Sequence, residues 1–166
     1  MGYTTEFKGN FTITPKLNLN QIKYLNDFCY SRRMKRNIKD FGENGEYYIG
    51  KGERGQNEEK NIIDYNEPPI TQPSLWCDWV VNEEGTSLSW NESEKFYNYV
   101  EWLSYLINNF FGKNYLLNSS VKFQGEAFDD KGEIVIINNV IKVIEAESGV
   151  ETIIKPEYVI NDFMFK

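Results

Sequence analysis

NESEKFYNYVEWLSYLINNFF, residues 91–111, is the long segment whose apolar residues recur with a clear helical period. Phe96, Val100, Leu103, Ile107 and Phe110 stand at i, i+4, i+7, i+11 and i+14, and Tyr99, Trp102, Leu106 and Phe111 widen the stripe. Lys95, Asn98, Glu101, Ser104 and Asn108 make the polar side. Asn91 with Glu94 three residues on reads as a capping box, and Gly112 as the stop. A helix of about five turns with so wide an aromatic stripe needs a large flat surface beneath it, and that surface is a sheet.

Working outward, the segment before this helix reads as a hairpin. Ser74 to Val81 carries aromatics on both faces, Glu83-Glu84-Gly85 turns, and Thr86 to Trp90 returns. Upstream lies a long irregular stretch, residues 37–74, broken by glycines and closed by Pro68, Pro69 and Pro73. Its two apolar islands, at residues 46–49 and 61–65, predict an ordered excursion with short extended pieces. Residues 3–14 alternate as a first strand, bulged at Gly9 and ended by Pro15. Residues 18–33 predict a first helix with Asn18 and Gln21 as a capping box and a basic end.

Downstream, Tyr115 to Gln124 is a strand and residues 125–132 an acidic turn. Residues 133–137, 140–146 and 150–155 form a meander turned at Asn138-Asn139 and Glu147-Ser148-Gly149. Tyr158 to Phe165 is apolar enough to pack back on the core. The expectation is an α+β fold in one domain, residues 1–166. Two helices pack on one face of a mostly antiparallel sheet, as a ferredoxin-like variant with a long ordered loop and a C-terminal β-meander. Within it, 1–36 supply the strand and first helix, 37–74 the loop, 75–132 the hairpin, long helix and strand, and 133–166 the meander.

Composition narrows the chemistry. The chain has 166 residues, 16% aromatics, a net charge of −7 and no histidine. The acidic balance argues against direct nucleic-acid binding and anionic membranes, and no apolar run reaches spanning length. Without histidine there is no Ser-His-Asp or Cys-His pair, and almost every zinc or non-haem iron site is excluded. The two cysteines, Cys29 and Cys77, have no CxxC spacing and read as buried thiols of a reducing cytosol. No catalytic residue, metal site or cofactor is expected, and the opening residues show no signal peptide, so the expected location is cytoplasmic.

Three groups of residues are candidates for binding. Arg32, Arg33 and Arg36, with Lys35, put four cations into five residues of an acidic chain, a set suited to phosphate or carboxylate or to neutralising a helix end. The proline-stiffened passage 63–79 presents Asp64, Tyr65, Asn66, Gln72, Trp76, Asp78 and Trp79, the mixture of rings, amides and acids found in ligand and partner sites. The carboxylates Asp78, Glu94, Glu126, Asp129 and Asp130 offer an acid–base pair or a hard-cation site if two converge, although the spacing of a Ca²⁺ loop is absent. Gly50-Lys51-Gly52-Glu53-Arg54-Gly55 lacks the GKS or GKT ending of a phosphate loop and reads as a flexible tip.

Taken together, GYTTEFKG, SRRMKR, IIDYNEPPITQPSLWCDWV, WNESEKFYNYVEWLSYLI and VKFQGEAFDD with GEIVI resemble a family of small uncharacterised proteins of bacteria, prophages and phages. The resemblance spans roughly residues 2–140, and the tail after Asn139 is longer than the family pattern by about 25 residues. It implies no catalytic residue. It implies a setting in which small accessory proteins bind a component of the host.

Three classes of function follow. The first is a non-enzymatic binding protein, such as a phage-encoded inhibitor of host defence. It would occupy a host protein or sequester a small anionic, nucleotide-like ligand, with Arg32, Arg33 and Arg36 on phosphates and Tyr65, Trp76 or Trp79 on a base. The second is a carboxylate-dependent hydrolase of a nucleotide or sugar. The third is a structural subunit that self-associates through the edge strands of its meander, as a homo-oligomer.

Overall fold

The structure is a computed structural model that describes residues 2–37, 39 and 45–159. Strand β1 (Glu6–Thr14) precedes helix α1 (Leu19–Tyr30). The excursion contributes β2 (Lys35–Arg36) and β3 (Ile62–Asp64), and the hairpin is β4 (Trp79–Val81) and β5 (Ser87–Trp90). Helix α2 (Tyr99–Leu106) leads to β6 (Leu116–Gln124) and to the meander β7 (Lys131–Ile137), β8 (Val140–Glu145) and β9 (Glu151–Ile154). The fold is α+β, as expected. Its main sheet runs β4-β5-β1-β6-β7-β8-β9 with every neighbouring pair antiparallel, and β2 and β3 form a separate ladder.

Helix α1 forms where its cap signal puts it. The Asn18 side chain accepts from the Gln21 N–H at 2.8 Å, and the Gln21 side chain accepts in return from the Asn18 N–H at 2.9 Å. Leu25, Phe28 and Cys29 are buried, whereas Leu19 is exposed. The helix stops at Tyr30, so Arg32 to Arg36 follow it rather than finish it.

The second helix corrects the reading of residues 91–111. Glu92, Lys95 and Asn98 all have positive φ, and the Asn91 side chain accepts from Ser93 N–H in a local turn instead of capping a helix. Helical bonding starts when Trp102 N–H donates to the Asn98 carbonyl. Phe96 is nevertheless buried, edge-on to Trp79 at 5.3 Å, so the apolar period located a core residue without locating a helical one. At the far end the helix widens into a π turn, Ile107–Phe111, before Gly112, whose φ is +58°. Widening lets the adjacent Phe110 and Phe111 both turn inward.

The first strand carries no inserted residue. Its register with β6 runs unbroken from Glu6–Gln124 to Thr14–Leu116. Gly9 takes φ +109°, and a Cβ there would meet the Ser120 carbonyl at 2.9 Å. The strand expected over 74–81 shortens to Trp79–Val81, because residues 75–78 belong to the loop. The tail expected to pack back reaches Tyr158, which packs against the core, and residues 160–166 lie outside the described residues.

Both helices share one core with one face of the sheet. Phe7 of β1 meets Trp79 at 5.2 Å and Tyr99 at 4.9 Å, and Phe28 of α1 meets Trp102 at 6.3 Å and Phe110 at 4.9 Å. Such edge-to-face pairs add about 0.5–1.5 kcal/mol each beyond area burial. The core also brings Cys29 and Cys77 to 3.5 Å between sulfurs, and burial pushes the Cys77 thiol well up from its ordinary value. The opposite face, with Lys8, Asn10, Thr12 and Lys122, is exposed.

Candidate functional site

The basic pentapeptide divides by depth. Arg33 is fully buried, its guanidinium 3.8 Å from the Phe28 ring centre and 3.9 Å from that of Tyr48. It donates to the carbonyls of Tyr48 and Glu46 at 2.7 Å each and to Gln72 Oε1 at 3.0 Å. Gln72 is buried in turn, donating to the Glu46 carbonyl and to the Tyr105 hydroxyl. Burial lowers the Arg33 pKa; carbonyl dipoles and ring faces offset part of the cost, and no carboxylate among the described residues is bonded to it. Arg36 is also buried, paired with Glu59 at 2.6 Å and lying 4.3 Å from the Tyr48 ring centre. These two arginines pin the excursion to the end of α1 and present nothing to solvent.

Arg32 alone of the three reaches the surface. Its Nε donates to the Tyr65 carbonyl at 3.0 Å and its Nη2 to Asn66 Oδ1 at 3.2 Å. Asn66 is set by its own N–H donating to Asp64 Oδ1 at 2.8 Å. The Arg32 guanidinium stands 5.6 Å from the Tyr65 ring centre and 5.8 Å from that of Trp76. Arg32, Asp64, Tyr65, Asn66 and Trp76 are therefore brought together.

A second cation joins Trp76. Arg54 lies 4.3 Å from the Trp76 ring centre, in a left-handed backbone conformation (φ 53°, ψ 28°) unusual for a residue with a Cβ. Its carbonyl accepts from Arg32 N–H at 2.9 Å, and its Nε is buried without a hydrogen-bond partner among the described residues. The segment expected to be a flexible tip is a tight turn docked on α1. A Cβ at Gly55 (φ +65°) would meet Ser31 at 2.9 Å, and one at Gly50 would strike the Gly55 carbonyl at 2.4 Å.

Arg54 and Trp76 border a cleft of about 580 Å³, with Asp78, Glu94, Lys95 and Tyr97 also on its walls. Asp78 is buried, and desolvation raises its pKa. The Asn91 amide, donating to Oδ1 at 3.2 Å, and the Arg54 charge offset part of that rise. The cleft thus joins two cations, two aromatic side chains and two carboxylates. Lys95 and Tyr97 come from the turn that replaces the first part of the expected helix.

Besides the buried Arg33, Arg36 and Gln72, two more expected members lie away from the cleft. Trp79 is fully buried and donates from Nε1 to the Tyr99 carbonyl at 2.9 Å, so it is core and offers no stacking face. Glu126 accepts from Thr4 N–H at 2.7 Å and ties down the N-terminal strand beside the Tyr3–Asp130 bond. Arg54 and Lys95 were missed by sequence reasoning. The signal for Arg54 was its place between closely spaced glycines, which give a tight turn as readily as a loose one.

No family model matches the chain, and neither the curated proteins nor the solved structures yield a match. Among the described residues no helix is long and apolar enough to cross a membrane, and no group of three or more His, Cys, Asp or Glu side chains converges on a metal site.

Proposed function

We propose that the protein is a non-enzymatic binder of a small anionic, ring-bearing ligand of nucleotide type, held in the Arg54–Trp76 cleft. The observation that carries the reading is Arg54. Its guanidinium lies against Trp76 at the cleft wall, and no hydrogen bond from a described residue occupies it. A guanidinium with spare donors beside an indole face matches a phosphate joined to a flat ring. Lys95 adds a second cation, while Asp78 and Glu94 supply acceptors for ribose or base N–H groups and disfavour an anion without a ring. In the phage setting that the resemblance implies, such a binder acts on host defence by withdrawing a signalling ligand.

Calorimetry with a nucleoside 5′-diphosphate, the free nucleoside and inorganic pyrophosphate tests this. The diphosphate binds, and either fragment alone binds at least about tenfold more weakly, since ring and anion each contribute on the order of 1–2 kcal/mol. Arg54→Ala and Trp76→Ala each remove that binding. Equal heats from wild type and Arg54→Ala defeat the reading.

A hydrolase reading is favoured by one observation, the raised pKa of Asp78 in a cleft that Glu94 also lines. Turnover of the nucleotide that disappears in Asp78→Asn decides for it. We infer also that β1-α1-β4-β5-α2-β6 is a ferredoxin-like unit. In support, β5 lies between β1 and β4, and β1 lies between β5 and β6, so both helices cross between strands split by one neighbour. On that reading β7 to β9 extend the unit at one edge, and β2 with β3 is an insertion between α1 and β4.

A further inference from the structure

The two edges of the main sheet are finished differently. At the β4 edge, Val81 is closed by the Asn26 side chain of α1, which donates to its carbonyl at 3.0 Å and accepts from its N–H at 2.8 Å. At the β9 edge no described residue does this. Strand β9 has no proline, lysine or register shift, the usual guards of an edge strand, and its single charge, Glu151, is matched by Lys142 at 3.3 Å. Ile153 on this strand is 57% exposed.

The free backbone groups of β9 can be assigned. Glu145 N–H donates to the Val150 carbonyl, so those two form a hydrogen-bonded pair. Antiparallel pairs alternate, which makes Ile144–Glu151 and Lys142–Ile153 the non-bonded ones. The N–H and C=O groups of Glu151 and Ile153 therefore point away from β8. Lys155 continues the same parity, and Pro156 after it favours extended backbone there.

We propose that the chain forms a symmetric dimer by antiparallel pairing of β9 with β9 of a second copy, on a twofold axis at Ile153. That register sets Ile153 against Ile153 and uses the outward groups of residues 151, 153 and 155. It also places Glu151 of each copy opposite Lys155 of the other, so the edge is complementary in charge to itself. A shift of two residues in the sum of paired positions keeps the outward groups paired but loses the charge match, setting Glu151 opposite Ile153 in one direction and opposite Glu157 in the other. The proposal is independent of the Arg54–Trp76 cleft.

Sedimentation velocity over a series of protein concentrations tests it, with circular dichroism confirming that each variant is folded. Wild type sediments as a reversible dimer. Ile153→Lys raises the dissociation constant at least about 100-fold by setting two like charges on the axis. Glu151→Lys alone and Lys155→Glu alone each raise it by about tenfold or more, and the double variant Glu151→Lys/Lys155→Glu returns to near the wild-type value. A wild type that stays monomeric at every concentration overturns the proposal. So does a dimer that survives Ile153→Lys, or a double variant as weak as the single ones.

Discussion

Arg33 and Arg54 each rest against aromatic rings, and they do opposite things. Arg33 lies close to Phe28 and Tyr48 with its donors bonded to carbonyls and an amide. Arg54 lies against Trp76, with its Nε unmatched among the described residues, on a backbone conformation that costs about 1–2 kcal/mol. A guanidinium whose bonds are complete is a fastening. One held at a cleft wall with bonds to spare, on a conformation that does not favour it, is better placed to bind.

The sharpest way to break this contrast is Arg33→Ala. It removes one donor each from the carbonyls of Tyr48 and Glu46 and unseats Gln72, and the expected loss is about 3 kcal/mol or more in urea unfolding. A loss under 1 kcal/mol would erase the distinction between the two arginines. Arg54→Gly is expected to leave stability within about 1 kcal/mol of wild type, since relief of the left-handed conformation offsets the lost ring contact. Nucleotide binding is expected to vanish in the same variant. A stability cost as large as that of Arg33→Ala would make Arg54 a fastening too.

The smallest effect concerns Asp78. A carboxyl with a raised pKa holds more protons folded than unfolded between its two pKa values, so stability falls as pH rises from the ordinary carboxylate value through the folded one. Asp78→Asn is therefore expected to raise Tm at pH 7 by roughly 2–4 °C, and to make no difference at a pH below both values. An equal gain at both pH values would put the effect in packing rather than in charge.

The legibility of the chain follows the range of the interactions. The Asn18–Gln21 box was read correctly because its partners are three residues apart. The residue 91–111 segment was read correctly as core but wrongly as helix from its start. Its period reports burial, whereas its first residues are held by contacts that a period does not contain. Asn91 N–H donates to the Asp78 carbonyl at 3.0 Å, and the Asn98 amide donates to the Pro73 carbonyl at 2.9 Å. The passage 63–79 was found as a candidate from its composition, yet composition did not separate Trp76 at the cleft from Trp79 in the core.

By itself the sequence determined the α+β class, the cap of α1, the Asn138-Asn139 turn with φ of 46° and 70°, the stop at Gly112 and the aromatic core, because each follows from residues close along the chain or from their period. Tertiary structure alone decided which arginines turn inward, that Arg54 meets Trp76, that Cys29 faces Cys77, and that one sheet edge is closed while no described residue closes the other. These depend on pairs up to 55 residues apart, whose meeting is fixed by the packing of the whole core and by no local preference of either partner.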